Sequence, residues 1–395
     1  MMKLRIIAGV CCLYSVSALA SIEWQTEQGK LKLYGDVEFN IDAASKKHQL
    51  TSVRTSAKKD FDANDSDRWD INGRILIGLD GIRELDNQSY AGFSVQPLAD
   101  LSGKVNLDDA DFYFGQQNDW RIKIGRYEAY DMFPLGQDTF IEYSGNTAND
   151  LYSDGFGYIY MMKEGRGRSS SGGAIELTKY VGNFDFQVNA MIKDGTTLFD
   201  DNTYHGYKLH KDKNVIYLRP VISYKNNYIS SAIAIEHNVV NNAYRYYNDS
   251  KGKWLDQSKR TGYGLTMSWN SEGDFSKSSE GILVNTSFAY LDAEQEKDFT
   301  AGVNGVWNGI GLGYIFAAND IKAFNPSYKG DGEIYAKGKY KLHTINASYL
   351  IADVMGMDNF NIYLGSYWSQ LDRDKKQGGG DDNRYGARVR FKYFF

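Results

Sequence analysis

The chain has 395 residues, with 45 Lys and Arg against 50 Asp and Glu, 40 Gly, only 4 Pro, and 30 Tyr within an aromatic content of 14%. A charged fraction of 24% and a mean hydropathy of −0.50 exclude a bundle of membrane-spanning helices; past the N-terminus no stretch holds the roughly 18 apolar residues such a helix needs. The aromatic content excludes intrinsic disorder, and a net charge of −5 with no basic domain or stripe is unsuited to nucleic acid.

The first 20 residues read as a signal peptide. Lys3 and Arg5 supply the positive start, Ile6 to Leu19 is mostly apolar, and Ala18-Leu19-Ala20 has the small-x-small form of a cleavage site. Both cysteines, Cys11 and Cys12, fall inside it, so the mature chain from Ser21 carries none and needs a scaffold without disulfides.

From there on, alternation with period two dominates and helical periodicity is nearly absent. Between Lys30 and Asp42, Leu31, Leu33, Val37, Phe39 and Ile41 alternate with Lys32, Asp36, Glu38 and Asn40. Between Arg68 and Asp80, Trp69, Ile71, Ile75, Ile77 and Leu79 alternate with Asp70, Asn72 and Arg74. The last strand sets Tyr385, Ala387, Val389, Phe391, Tyr393 and Phe395 against Arg384, Arg388, Arg390 and Lys392. A face carrying charge on strand after strand, backed by an apolar one, fits a barrel with lipid outside and water inside. Inside a bilayer every backbone group must be paired, so such a sheet has to close.

The pattern predicts an all-β, transmembrane antiparallel β-barrel. The segments are 30–42, 67–82, 87–98, 107–117, 120–127, 166–181, 183–193, 214–224, 227–238, 259–271, 280–292, 296–306, 308–318, 339–351, 358–370 and 384–395. That is a count of 16 strands, with 14 and 18 as the neighbouring alternatives. The even count returns both ends to one side. Tight links at 116–119, 181–183, 225–227 and 307–308 alternate with long ones at 43–67, 127–165, 194–213, 239–258, 319–338 and 372–383, as on the two rims of an outer-membrane barrel. A barrel this wide leaves an aqueous channel. The domain reading is a signal peptide at 1–20 and one barrel over 21–395.

The longest connection carries the functional signal. A loop of about 40 residues is either functional or disordered. Here it contains Gly125-Arg126-Tyr127, Tyr130-Asp131, Phe133-Pro134-Leu135-Gly136, Asp138-Thr139, Tyr152-Ser153-Asp154 and the return Gly165-Arg166. This series resembles the inward-folded constriction loop of trimeric Gram-negative porins, most closely the raffinose-porin-like glycoporins that pass oligosaccharides. The match departs from the general porins at Leu135, where an acidic residue is usual. The terminal Phe395 with its neighbouring aromatics is similar to the ending read by the barrel-assembly machinery.

The resemblance implies an outer-membrane channel with an inward loop, a homotrimer, and contacts with outer-membrane lipid and lipopolysaccharide. It implies small saccharides as permeant solutes, no catalytic residue, no cofactor and no metal. The loop acids Glu128, Asp131, Asp138, Glu142, Asp150 and Asp154 are expected to face wall bases. By strand parity and resemblance the bases are Arg68, Arg74, Arg121, Arg126, Arg219, Arg388 and Arg390. Acids facing bases across a narrow pore create a transverse field that orients dipolar solutes. Loop aromatics, among them Tyr127, Tyr130, Phe133 and Tyr152, are expected to stack on the apolar faces of pyranose rings while polar groups bond the edges. The alternative is a general diffusion porin, with the aromatics assigned to packing and to interfacial girdles. An enzyme reading has no nucleophile motif behind it. His48, His205, His210, His237 and His343 show no metal spacing, and the acidic stretches 60–67 and 378–382 read as solvated outer loops before they read as Ca²⁺ sites. An adhesin would need neither the aromatic loop nor the arginine wall.

Overall fold

A computed structural model describes residues 21–46, 49–51, 68–133, 159–168, 171–199, 202–249, 251–275, 281–325, 337–373 and 382–395. The expected signal peptide, Asp138 and Tyr152 lie outside these residues. Sixteen strands close into one antiparallel barrel. They are β1 (Gly29–Ala44), β2 (Trp69–Glu84), β3 (Ser89–Asp100), β4 (Val105–Gln116), β5 (Trp120–Arg126), β6 (Gly173–Val181), β7 (Phe184–Lys193) and β8 (Val215–Lys225). The second half is β9 (Ile229–Asn238), β10 (Arg260–Asn270), β11 (Ile282–Ala293), β12 (Glu296–Trp307), β13 (Ile310–Ile321), β14 (Gly338–Ile351), β15 (Phe360–Arg373) and β16 (Asp382–Phe394). Each strand pairs with its sequence neighbours, and β16 returns to β1 from Asp36↔Phe394 to Ala44↔Gly386.

The seam has a device that the alternation pattern does not announce. β16 ends where β1 still has residues 29–33 to pair, and the segment Ile22–Thr26 folds back to cover them, from Ile22↔Leu33 to Thr26↔Gly29. Between the two, Gly35 N–H donates to the Phe395 carbonyl at 2.8 Å and Phe395 N–H donates to the Gly35 carbonyl at 3.1 Å. A Cβ at Gly35 would stand 2.2 Å from the Leu76 carbonyl oxygen and 2.7 Å from the Phe395 ring.

The barrel is inside-out relative to a water-soluble protein. Ile71 (68% exposed), Leu312 (60%), Ile233 and Met267 point outward, and Trp69, Trp307 and Tyr385 mark the outer ends of their strands. Inward positions hold Asn40, Asp42, Asn189, Thr300, Asn346 and Arg390, all nearly inaccessible. An apolar belt with aromatic flanks meets lipid, and the polar face encloses the lumen.

The expected rims hold with corrections. The connections 45–68, 127–172, 194–214, 239–259, 322–337 and 374–381 share one rim, together with two tight links at 101–104 and 294–295. The other rim is tight except at 271–281 and 352–359. The loops 194–213 and 239–258 contain short strands of their own: Thr203–Tyr204 pairs with Tyr207–Lys208, and Tyr244–Asn248 pairs with both His210–Lys211 and Lys253–Asp256. The largest departure is β6, which starts at Gly173 and not at residue 166. Gly167 and Arg168 hold φ of +136° and +51°, which breaks an extended run.

The closure makes a prediction. Gly35→Val should destabilise the folded barrel by about 1–3 kcal/mol, since the new side chain meets backbone on one side and Phe395 on the other. The temperature at which the folded band is lost on unheated SDS gels should fall; an unchanged temperature would contradict the seam.

Candidate functional site: the lumen and its long loop

The loop after β5 is described along two legs, 127–133 and 159–168. They are tied to each other. Ala129 N–H donates to the Arg166 carbonyl at 2.8 Å, and Arg168 N–H to the Tyr127 carbonyl at 3.1 Å. Arg166 bridges Glu128 at 2.8 Å and Asp131 at 3.3 Å. Gly167 is required by the closeness of the legs: a Cβ there would lie 1.9 Å from the Tyr127 carbonyl oxygen.

Both legs pack against inward-facing wall residues. Tyr127 OH donates to Asn189 at 2.9 Å, and the Asn189 amide donates to the Gly165 carbonyl at 2.7 Å. Glu236 on β9 accepts from Tyr160 OH at 2.6 Å and from Gly165 N–H at 3.0 Å. Arg219 stands 3.5 Å from Glu236 and donates to the Met162 carbonyl at 3.4 Å. Arg260 holds Glu164 through Nε at 2.7 Å and Nη2 at 2.5 Å. Tyr160 N–H reaches Thr300 on β12 at 2.9 Å. Burial, reinforced by the Glu236 carboxylate, pushes the Tyr160 phenol well above its ordinary pKa, so it stays a donor.

Small inward residues make room for these legs. Met132, Tyr160 and Met162 pack on Val221, Ala232, Ala234, Ala289 and Leu291. A Cβ at Gly262 would lie 1.9 Å from Tyr160 OH, and one at Gly264 would lie 2.5 Å from Met162 Sδ. A second anchor is the β4 bulge opposite Val95 and Pro97. The extra residue presents Asp108 and Asp109 to one guanidinium, that of Arg168, at 3.0 and 2.8 Å.

Halfway round the sixteen-strand circle, β16 aims Arg384, Arg388, Arg390 and Lys392 inward, beside acids on β1. Asp42 takes Arg388 in a two-pronged pair at 2.5 and 2.6 Å. Arg390 donates to Asn40 at 2.9 Å and lies 3.4 Å from Glu38, which also holds Lys392 at 3.3 Å. Arg74 faces Asp36 at 3.5 Å, and Arg384 faces Asp382 at 3.0 Å. These bases pair first with acids of the wall itself, Arg384 within its own strand and the others across to β1. A paired row of this kind still presents an ordered line of dipoles to the lumen.

The expected site residues therefore separate. Arg74, Arg388 and Arg390 stand on the inner wall. Arg68 is exposed on the long-loop rim, just before β2. Arg126 has the outward parity of β5 and turns to the carbonyls of Leu107 and Asp108, at 2.8 and 2.9 Å. Arg219 is wholly buried beneath a leg, so it braces the loop and is out of reach of a solute. Tyr127 and Phe133 are 0% and 2% exposed, with no ring face left for a sugar. Tyr130 and Asp131 are half-buried, and Asp131 accepts from Phe133 N–H at 2.9 Å. Glu164, Arg168, Glu236, Arg260 and the inward tyrosines of β1 to β6 were not among the expected residues. Inward strand parity marks Glu236, Arg260 and the tyrosines, whereas Glu164 and Arg168 lie on the loop leg, where no parity reveals them.

Over the long-loop rim, the loop after β7 reaches across the mouth. Tyr204 OH donates to Glu296 at 2.7 Å, His205 lies 3.1 Å from the same carboxylate, and Asn325 N–H donates to the His205 carbonyl at 2.9 Å. Burial, with Glu296 adjacent, raises the Tyr204 phenol well above its ordinary pKa.

With closure, the inside-out faces and the inward legs established, the comparisons settle the family. The model of the porin-like glycoporin RafY family matches residues 33–395. The chain belongs to that family. No curated protein matches the chain. Solved structures that share its fold include an anion-selective porin from Comamonas acidovorans, at 14% identity and TM-score 0.55 over 93% of this chain and 100% of that one. OmpF of Salmonella typhi in complex with daunomycin aligns at 13% identity and TM-score 0.57 over 95% and 100%. The outer-membrane channel DcaP of Acinetobacter baumannii aligns at 12% and 0.55 over 95% and 100%. This member of the glycoporin family is an outer-membrane diffusion channel, and its family and fold are those of channels, not of enzymes.

The Arg260–Glu164 pair tests the loop anchorage. Arg260→Met leaves a buried carboxylate unpaired and should cost about 3–5 kcal/mol, read as a lower urea midpoint for barrel unfolding. Arg260→Met with Glu164→Met should recover most of that loss. Equal losses in the single and double variants would contradict the pairing.

Proposed function

We propose that this porin passes small oligosaccharides down their concentration gradient, with the loop over 127–172 standing in the lumen as its narrowest part. The observation that carries the reading is the pair of loop legs fastened to the inner wall at Asn189, Glu236 and Arg260, half a turn of the barrel from the paired bases of β16. A neutral, hydroxyl-rich solute suits such a lumen. It carries no net charge for the paired acids and bases to attract or repel, and weak contacts allow it to leave again. The family description supports saccharides, and the wall chemistry supports uncharged polar solutes over apolar ones. The homotrimer, the contacts with lipid and lipopolysaccharide, the recognition of Phe395 by assembly machinery and the cleaved leader belong to the same proposal and rest on the resemblance.

Within the reading, Tyr127 and Phe133 become braces of the loop, Arg74 and Asp131 remain groups a solute meets, and the buried Arg388 and Arg390 act on it only through the field of their paired charges. Single-channel recording in a planar bilayer tests it, with raffinose and the maltose series titrated in. Saturable, stepwise block by a neutral oligosaccharide is the expected result. Conductance indifferent to every sugar would leave a general diffusion porin and end the saccharide reading.

A further inference from the structure

The inner wall near the tight-turn rim carries a feature that the loop does not use. Inward tyrosines on adjoining strands are set in register against inward glycines: Tyr34 opposite Gly78, Tyr113 opposite Gly92, and Tyr90 opposite Gly115. For Tyr34 the reason is contact. A Cβ at Gly78 would lie 2.4, 2.5 and 2.8 Å from three carbons of the Tyr34 ring, so the ring lies flat on the sheet over the missing side chain. The phenol end of Tyr113 occupies the space over Gly92 in the same way, at 2.6 Å. Tyr90 leans on Tyr113, with ring centroids 6.2 Å apart and planes tilted by 56°. All three are half-buried.

A ring laid on a sheet has one face covered and keeps the other for the lumen. The Tyr34 ring is also fixed. Tyr34 OH donates to Asp80 at 3.0 Å and accepts from Gln96 at 2.8 Å, and Ser94 donates to the same Asp80 oxygen at 2.7 Å. The wall around them is polar and paired, with Lys123 at 3.3 Å from Asp111 and Arg121 at 2.9 Å from Glu176. Lys32 stands over the Tyr34 ring with its ammonium 5.5 Å from the centroid. Its long solvated side chain can swing aside to let a solute in while its donors stay at the edge.

Held aromatic faces edged by carboxylates, amides and ammonium groups match one solute chemistry. A pyranose has an apolar face of C–H groups and a rim of hydroxyls, which need a ring below and donors and acceptors beside it. A simple ion has no use for the ring faces, and an apolar solute has none for the charged edge. We propose that Tyr34, Tyr113 and Tyr90 form a saccharide-stacking track on the wall of β1 to β4, on the tight-turn side of the long loop. The track rests on the oligosaccharide reading above and gives it a place in the lumen.

The test is sugar block of single channels by raffinose and maltotriose, with folding checked by migration on unheated gels. Tyr34→Leu and Tyr113→Leu should each weaken block about tenfold, the loss of one aromatic contact. Tyr34→Phe should retain most of it. Gly78→Leu should weaken block as Tyr34→Leu does, because it lifts the ring off the wall without removing it. Tyr224→Leu, on the outward face, should behave as the parent. Parent channels blocked by sugar, with block unchanged in the Tyr34 and Tyr113 variants, would overturn the track and leave the oligosaccharide reading intact. Parent channels that no sugar blocks would overturn that reading and the track together.

Discussion

Everything in this molecule depends on one constraint: in hydrocarbon, each backbone amide must find its partner within the sheet. The sheet therefore closes, and the critical place is the meeting of first and last strands. β16 is too short to cover all of β1. The chain solves this with a paired Gly35 and Phe395 and with the segment 22–26, which continues the edge that β16 leaves open. Closure then fixes parity. Every second side chain belongs to lipid and every other one to the lumen, which is why aliphatic residues stay exposed outside while Asn, Asp, Arg and Thr are buried inside.

A polar lumen could be a plain hole. It is shaped because the loop after β5 has footholds there. Ala232, Ala234, Gly262, Gly264 and Ala289 shorten the inner wall on β9 to β11, and the legs fill that space with Met132, Tyr160 and Met162. The ion pairs beneath them, Arg260 with Glu164 and Arg219 with Glu236, are buried, so their worth lies in position more than in stability. The remaining lumen is bounded by the bases of β16, the acids of β1 and the tyrosines of β1 to β4. A wall of this kind offers many weak contacts and no tight one, which suits passage over storage.

The strands were legible because each carries two opposite chemistries with period two, and a one-residue slip would put charge into lipid. Phe395, Arg388 and Arg390 were placed rightly on that ground. β6 was read as starting too early because Gly165-Arg166-Gly167-Arg168 alternates in composition while its backbone turns. Ile22–Thr26 was missed because five residues after the leader are too few to show a period. In the site, parity reveals which residues look inward but not which strand's acid reaches which base, so the pairing of Arg388 with Asp42 was hidden. Residue type alone does not tell a packing ring from a binding ring. Tyr127 and Phe133 sit in the loop and so look like binding rings, yet they are buried, whereas Tyr34 and Tyr113, which the strand pattern does not single out, are half-buried on the inner wall. The glycines opposite them were the readable clue.

The central proposal is that the long loop, whose legs 127–133 and 159–168 are anchored to the inner wall, narrows the conducting path. Replacing residues 134–158 with a short Gly-Ser link, which leaves both anchored legs in place, tests it most directly. The account predicts folded channels with a larger single-channel conductance and a larger sugar size limit in liposome swelling. Folded channels with the parent conductance and size limit would place the loop outside the conducting path and contradict the account.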